Sequence, residues 1–201
     1  VASAFTRRIA NTIRTALTLE NVPWASAPRW VQRPANVGSA VSRGLEFEVK
    51  GRAGALLAPW IDPAIAIDLR FAGSFYRSQV DGVPGPGNRI EGQPARTINA
   101  GIDHRASGGA LVWGLSVSWT PSYTTRLAED RWSRTGSDQR VDAYVLWRFD
   151  PGASLRLSGA NLLPRDGVSG STLIDEFGLA QGTDSRRESR RRWSATLELK
   201  F

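Results

Sequence analysis

The chain has 201 residues, no cysteine and a formal net charge of +7, carried almost wholly by arginine. That length suits one sizeable domain, and the missing cysteines exclude a disulfide framework, a thiolate metal site and thiol chemistry. No apolar run of about 18 residues occurs, which excludes a transmembrane helix but not a membrane barrel, half of whose strand residues face a polar lumen.

In chain order, a first weak strand is predicted near 4–9. Leu45, Phe47 and Val49 then oppose Glu46, Glu48 and Lys50. Ile65, Ile67, Leu69, Phe71 and Phe75 share a face opposite Asp68, Arg70, Ser74 and Tyr76. Ile98, Ala100 and Ile102 oppose Thr97, Asn99, Gly101 and Asp103, and Leu111–Trp119 carries Trp113, Leu115 and Val117 opposite Gly114, Ser116 and Ser118. Val141, Ala143, Val145, Trp147 and Phe149 alternate with Asp142, Tyr144, Leu146 and Arg148, and Leu155 and Leu157 with Arg156 and Ser158. The last segment is the cleanest: Trp193, Ala195, Leu197, Leu199 and Phe201 alternate without a break with Ser194, Thr196, Glu198 and Lys200. A period of two places successive side chains on opposite faces of a strand, so each segment has one apolar and one wet face. The count is about eight strands and no convincing amphipathic helix.

The connections alternate in length. Asp150-Pro151-Gly152 and Ser107-Gly108-Gly109 read as tight turns. The stretches 79–93, 125–137 and 164–190 are long and polar, and only 51–63 breaks the parity. Transmembrane barrels put short turns on the periplasmic side and long loops outside, which predicts a periplasmic C-terminus. A soluble sheet with one face on a core also alternates, but here Trp119, Trp147, Phe149, Trp193 and Phe201 gather towards strand ends, as interfacial aromatic girdles do.

Three local patterns carry a family likeness. Asn36-Val37-Gly38-Ser39-Ala40-Val41-Ser42-Arg43-Gly44-Leu45-Glu46-Phe47-Glu48, Leu155 to Leu163 with its Asn161-Leu162, and the aromatic-terminated final strand resemble the C-terminal portion of a TonB-dependent outer-membrane receptor. Gln93-Pro94-Ala95-Arg96 fits the family's entry from an outer loop into a strand, whereas Pro164-Arg165-Asp166 departs from its usual aromatic-aspartate continuation. The resemblance implies an all-β fold, a transmembrane antiparallel barrel of about 22 strands, of which this chain is the C-terminal arc. It implies a plug domain and earlier strands outside residues 1–201. It further implies TonB-energised uptake of a scarce ligand such as a ferric siderophore, TonB contact through the missing N-terminal region, and a bacterial outer-membrane location. The resemblance implies too that the final strand, through Trp193, Leu197, Leu199 and Phe201, is the signal read by the barrel-assembly machinery. The opening on Val1, with no leader and no Met, leads to the same expectation of a C-terminal fragment.

Few residues suggest chemistry. Glu46 and Glu48 share a strand face, but paired carboxylates need a cleft and shifted pKa values to act as acid and base; a lumenal charge ladder with Lys50 and Arg70 is expected instead. His104 stands alone, without the partners of a triad or zinc site, and is read as a surface residue. Gly82–Gly87 precedes no helix and is read as a mobile outer loop rather than a phosphate cradle. Arg186-Arg187-Glu188-Ser189-Arg190-Arg191-Arg192 holds five arginines in seven residues. It lacks the interleaved stacking aromatics of a nucleic-acid site. At a barrel rim, Arg190, Arg191 and Arg192 are expected to contact lipopolysaccharide phosphates. No enzyme activity, cofactor, metal or nucleic-acid partner is expected, and individual ligand contacts are not assigned. Two other readings stand beside this one. A small self-contained eight-stranded outer-membrane barrel of structural or adhesion role would pair its first strand with its last. A soluble β-rich module would use its arginines on anionic polymers.

Overall fold

The computed structural model describes every residue except Ile61, Pro63, Glu176 and Phe201, and of Ser107 only the backbone. Among the described residues the strands are β1 (Ala2–Ile9), β2 (Ile13–Glu20), β3 (Arg29–Asn36), β4 (Ala40–Arg52), β5 (Ile67–Val80), β6 (Arg96–Ala106) and β7 (Leu111–Thr120). They continue with β8 (Tyr123–Arg126), β9 (Arg131–Thr135), β10 (Asp138–Asp150), β11 (Ala153–Ala160), β12 (Gly167–Ile174), β13 (Ala180–Arg187) and β14 (Arg192–Leu199). The one α-helix among them is the four-residue α1 (Ala53–Leu56), in the connection after β4.

Eight of these strands form one sheet in the order β1-β4-β5-β6-β7-β10-β11-β14, every neighbouring pair antiparallel. They are the eight segments that alternate in the sequence, and the fold is a partial antiparallel β-barrel. At about 3.3 Å per residue, the 14 residues of β5 run roughly 45 Å, enough to cross a tilted path through a bilayer and project beyond it.

The connections sort by side. On one side lie the connections β4–β5, β6–β7 and β10–β11, where Gly108 and Gly109 take positive φ (65° and 97°) and the Gly152 N–H bonds the Asp150 carboxylate at 2.9 Å. On the other side the long stretches fold further than expected. Residues 10–39 carry the β2–β3 hairpin, and β8, β9, β12 and β13 form a second sheet in the order β13-β12-β9-β8. The loop after β5, expected to be mobile, is pinned. Val80 and Val83 are buried with Ala40, and the Asn88 side-chain amide donates to the carbonyls of Val80 and Val83 at 3.0 and 2.7 Å.

Among the described residues no layer packs on the apolar face of the large sheet. Leu45, Phe71, Phe75, Leu115, Val145, Leu157, Trp193 and Leu197 are all exposed there. Removing such side chains from water is worth roughly 1.5–3 kcal/mol each, a term that a lipid surround would supply. β1 and β14 occupy the two ends of the strand order and do not pair with each other, so the pairing required of a self-contained eight-stranded barrel is absent among the described residues.

Candidate functional site

Antiparallel partners point to the same side of a sheet, so register alone assembles the polar face. Asp68, Asp103, Gly114, Tyr144, Ser158 and Ser194 make one row across β5 to β14. Arg70, Gly101, Ser116 and Asp142 make the next. Arg70 donates to Asp103 Oδ2 at 2.6 Å, and the Tyr144 hydroxyl donates to Asp103 Oδ1 at 2.6 Å. The Arg156 guanidinium lies 4.4 Å over the Tyr144 ring, a cation–π contact. Towards the short-turn side Arg105 pairs with Asp68 at 2.6 Å.

This is the expected ladder with different rungs. Glu46 accepts a 2.7 Å bond from the Tyr76 hydroxyl rather than pairing with a cation. Glu48 stands 3.9 Å from Lys50 along its own strand. Arg70 directly opposes Lys50 in the register, and Asp103, not a glutamate, neutralises it.

Two hollows flank Arg70. One, of about 450 Å³, is lined by Asp103, Asp142, Tyr144, Arg156 and Arg192 besides Arg70 itself. The other, of about 410 Å³, meets Glu48, Asn99, Arg140 and Asp142. Among the described residues Arg156 and Arg192 have no ion-pair partner. The first hollow therefore carries three guanidiniums against two carboxylates, a field that favours anionic groups.

On the long-loop side, Arg14 of β2 is 6% exposed. Its guanidinium donates to the carbonyls of Arg89, Arg126 and Leu127, tying three connections together. Burial lowers its pKa, Glu91 opposes that effect and Arg131 adds to it, yet a guanidinium stays charged. Arg131 in turn donates to the Thr15 carbonyl. Arg126 donates to Gly85 and Glu129 carbonyls at 2.8 and 2.7 Å and lies 5.1 Å over Trp132.

Asn161 sits just past β11 with φ of 56°, a left-handed conformation that asparagine tolerates. Its backbone N–H bonds Asp142 Oδ1 at 2.7 Å. Its side-chain amide donates to Ser189 Oγ and the Arg190 carbonyl at 2.6 and 3.0 Å. Asp166 accepts from the Ser189 N–H at 3.0 Å and from Arg186 Nε at 2.7 Å, and these two bonds hold its pKa below the ordinary carboxylate range.

The arginine run is divided by this geometry. Arg190 pairs with Glu188 at 2.8 Å, and Arg191 lies between that pair and the strand. Arg192 is paired in register with Ala160, on the same side as Ser194, and so belongs to the polar face. Trp193, Leu197 and Leu199 take the apolar face, and Phe201 lies outside the described residues. His104 is on the apolar face, its ring 5.6 Å from Trp113. Sequence reading assigned no role to Arg14, because only convergence of three distant loops buries it. The Asn161-Leu162 pattern was legible, but the contacts behind it were not.

Comparison with protein families matches residues 1–162 to the family described as TonB dependent receptor-like, beta-barrel. The matched span runs from β1 through β11 and ends one residue past Asn161. No curated protein matches the chain.

Proposed function

Because the chain belongs to the TonB-dependent receptor β-barrel family, whose members serve transport across the bacterial outer membrane, we propose that residues 1–201 are the C-terminal segment of such a receptor. In this reading a plug domain and earlier strands complete the barrel, and TonB engages the N-terminal region. The long loops face outward, and the chain ends in the periplasm. The segment serves the whole receptor's transport rather than catalysis. Its ligand is a scarce solute such as a ferric siderophore, drawn past the loop cluster into the lumen.

The observation that carries the reading is the contrast between the two faces of one sheet. Large apolar side chains are exposed on one face, and guanidinium-lined hollows open on the other. Arg156 and Arg192 favour the anionic groups common on iron chelators. Trp193, Leu197, Leu199 and Phe201 serve as the assembly signal. Arg190 and Arg191 face lipopolysaccharide phosphates at the rim, while Arg192, by its row, serves the lumen.

Uptake of ⁵⁵Fe carried by ferric catecholate and ferric hydroxamate chelators, measured in iron-limited cells, tests the ligand class. Deleting the gene is expected to abolish uptake of one chelator, and loss of TonB to do the same. Unchanged uptake of both chelators would overturn the siderophore assignment.

A further inference from the structure

We propose that the apolar face, just below the long loops, holds the phosphate groups of a membrane lipid between Arg43 and Arg77. The proposal rests on the reading that these strands cross an outer membrane with their long loops outward. In that membrane the lipid of the loop-side leaflet is lipopolysaccharide.

The two arginines are direct cross-strand partners in the β4–β5 register. Like charges directly opposed in a sheet repel, so an arrangement of this kind calls for a counter-charge. The protein pairs neither one: among the described residues neither guanidinium makes an ion pair or a side-chain hydrogen bond, and both residues are exposed. Their side matters as much as their pairing. Two residues further along each strand, on the same face, come Leu45 and Phe75, themselves cross-strand partners and both exposed. The arginines thus cap the edge of the band that lipid must cover.

Neighbouring strands repeat the pattern. Arg8 of β1 opposes Val41 on the same face, one row nearer the loops. Arg96 of β6 opposes Phe75, one row further into the band, with its guanidinium 5.2 Å over Trp119. Four adjacent strands therefore each present one outward arginine within three successive rows. A hollow of about 360 Å³ opens at Arg43 and Arg77, with Ser78, Gln79 and Asp81 also on its wall. Asp81 lies one residue beyond the end of β5, at the loop side, and leaves the hollow with two cations to one carboxylate. Guanidinium forks match phosphate oxygens bidentately. A headgroup site above an apolar floor suits a phosphorylated lipid better than a free ion, because the floor takes the acyl chains.

The test uses the native protein extracted from outer membranes in mild detergent, with bound lipid A counted by native mass spectrometry. Wild type and R7Q, whose charge lies on the polar face opposite Ser42, are expected to retain phosphorylated lipid A. The double variant R43Q/R77Q is expected to lose at least about tenfold in bound lipid, and enzymatically dephosphorylated lipid A is expected not to bind wild type. Retention of lipid by the double variant at the wild-type level overturns the proposal. Competition by inorganic phosphate as effective as by lipid A reduces the site to a free-anion site and overturns the lipid assignment. Should the double variant fail to fold, the single variant R77Q carries the test with an expected loss of several-fold, and wild-type retention there overturns it. Failure of the wild type to fractionate with the outer membrane would instead strike the membrane reading itself.

Discussion

The Tyr144 hydroxyl meets Asp103 Oδ1 at 2.6 Å although their strands, β10 and β6, are separated by β7. The residue between them in the register is Gly114. The phenol ring lies in the gap where a side chain would be, and an added Cβ would stand 2.5 Å from Tyr144 Cε1. Replacing Gly114 with Ala should therefore push the ring aside and break the bridge. Overpacking and a lost charge-assisted bond together place the cost at about 1–3 kcal/mol. Thermal unfolding in detergent is the measurement. Tyr144→Phe combined with G114A should cost less than the sum of the two, because both remove the same contact.

Leu115 and Ser116 are adjacent in β7 but point to opposite sides of the sheet. Leu115→Arg places a charge against hydrocarbon and is expected to destabilise by roughly 2–4 kcal/mol if near the bilayer midplane. Ser116→Arg enters the hollow beside Arg70 and should be far milder, reduced only by like-charge repulsion. Folded yield in outer membranes separates the two. Equal damage from both substitutions would contradict the assignment of faces.

Asn161→Gly keeps the left-handed backbone and the N–H to Asp142 but removes the amide that holds Ser189 and Arg190. The strand should survive, while trypsin cuts at Arg190–Arg192 several-fold faster than in wild type. Limited proteolysis followed by mass mapping of the fragments reads this directly.

Asp166 gives the 164–190 connection a pH dependence of definite sign. Its carboxylate pKa is depressed in the fold by the Ser189 N–H and Arg186. The stabilisation is therefore complete above the unfolded carboxylate pKa near 4 and is lost as pH falls through the lower, folded value. Hydrogen exchange at the Ser189 amide should stay slow down to the ordinary aspartate range and accelerate below it. In Asp166→Asn that acid-dependent step should vanish.

Legibility in the sequence followed solvent contrast. Leu111–Trp119 and Trp193–Leu199 were readable because their two faces meet different media, which forces strict alternation. β13, Ala180–Arg187, carries no large apolar side chain, so no period of two marks it as a strand. β12 and the β2–β3 hairpin escape for the related reason that they stand outside the large sheet, in sheets of their own. The acid–phenol–guanidinium cluster needed registers across β5 to β11, which no local pattern encodes, although Asp103, Tyr144 and Arg156 each fell on the wet face that alternation assigned to them. Arg43 and Arg77 were visible as letters, but only the pairing of β4 with β5 sets them face to face.

Among the described residues the outer sides of β1 and β14 have no strand partner, and in lipid that has a thermodynamic consequence. Each edge presents a row of N–H and C=O groups, and in hydrocarbon every such group left without a partner costs several kcal/mol. That penalty grows with depth of immersion as fast as the gain from covering Leu115, Val145 and Leu197. A sheet with these borders gains little by sinking into lipid until other strands meet its borders. If, as proposed, further strands complete the barrel, entry into the bilayer and completion of the ring are a single cooperative event, and β14 is one of the two places where that event is decided.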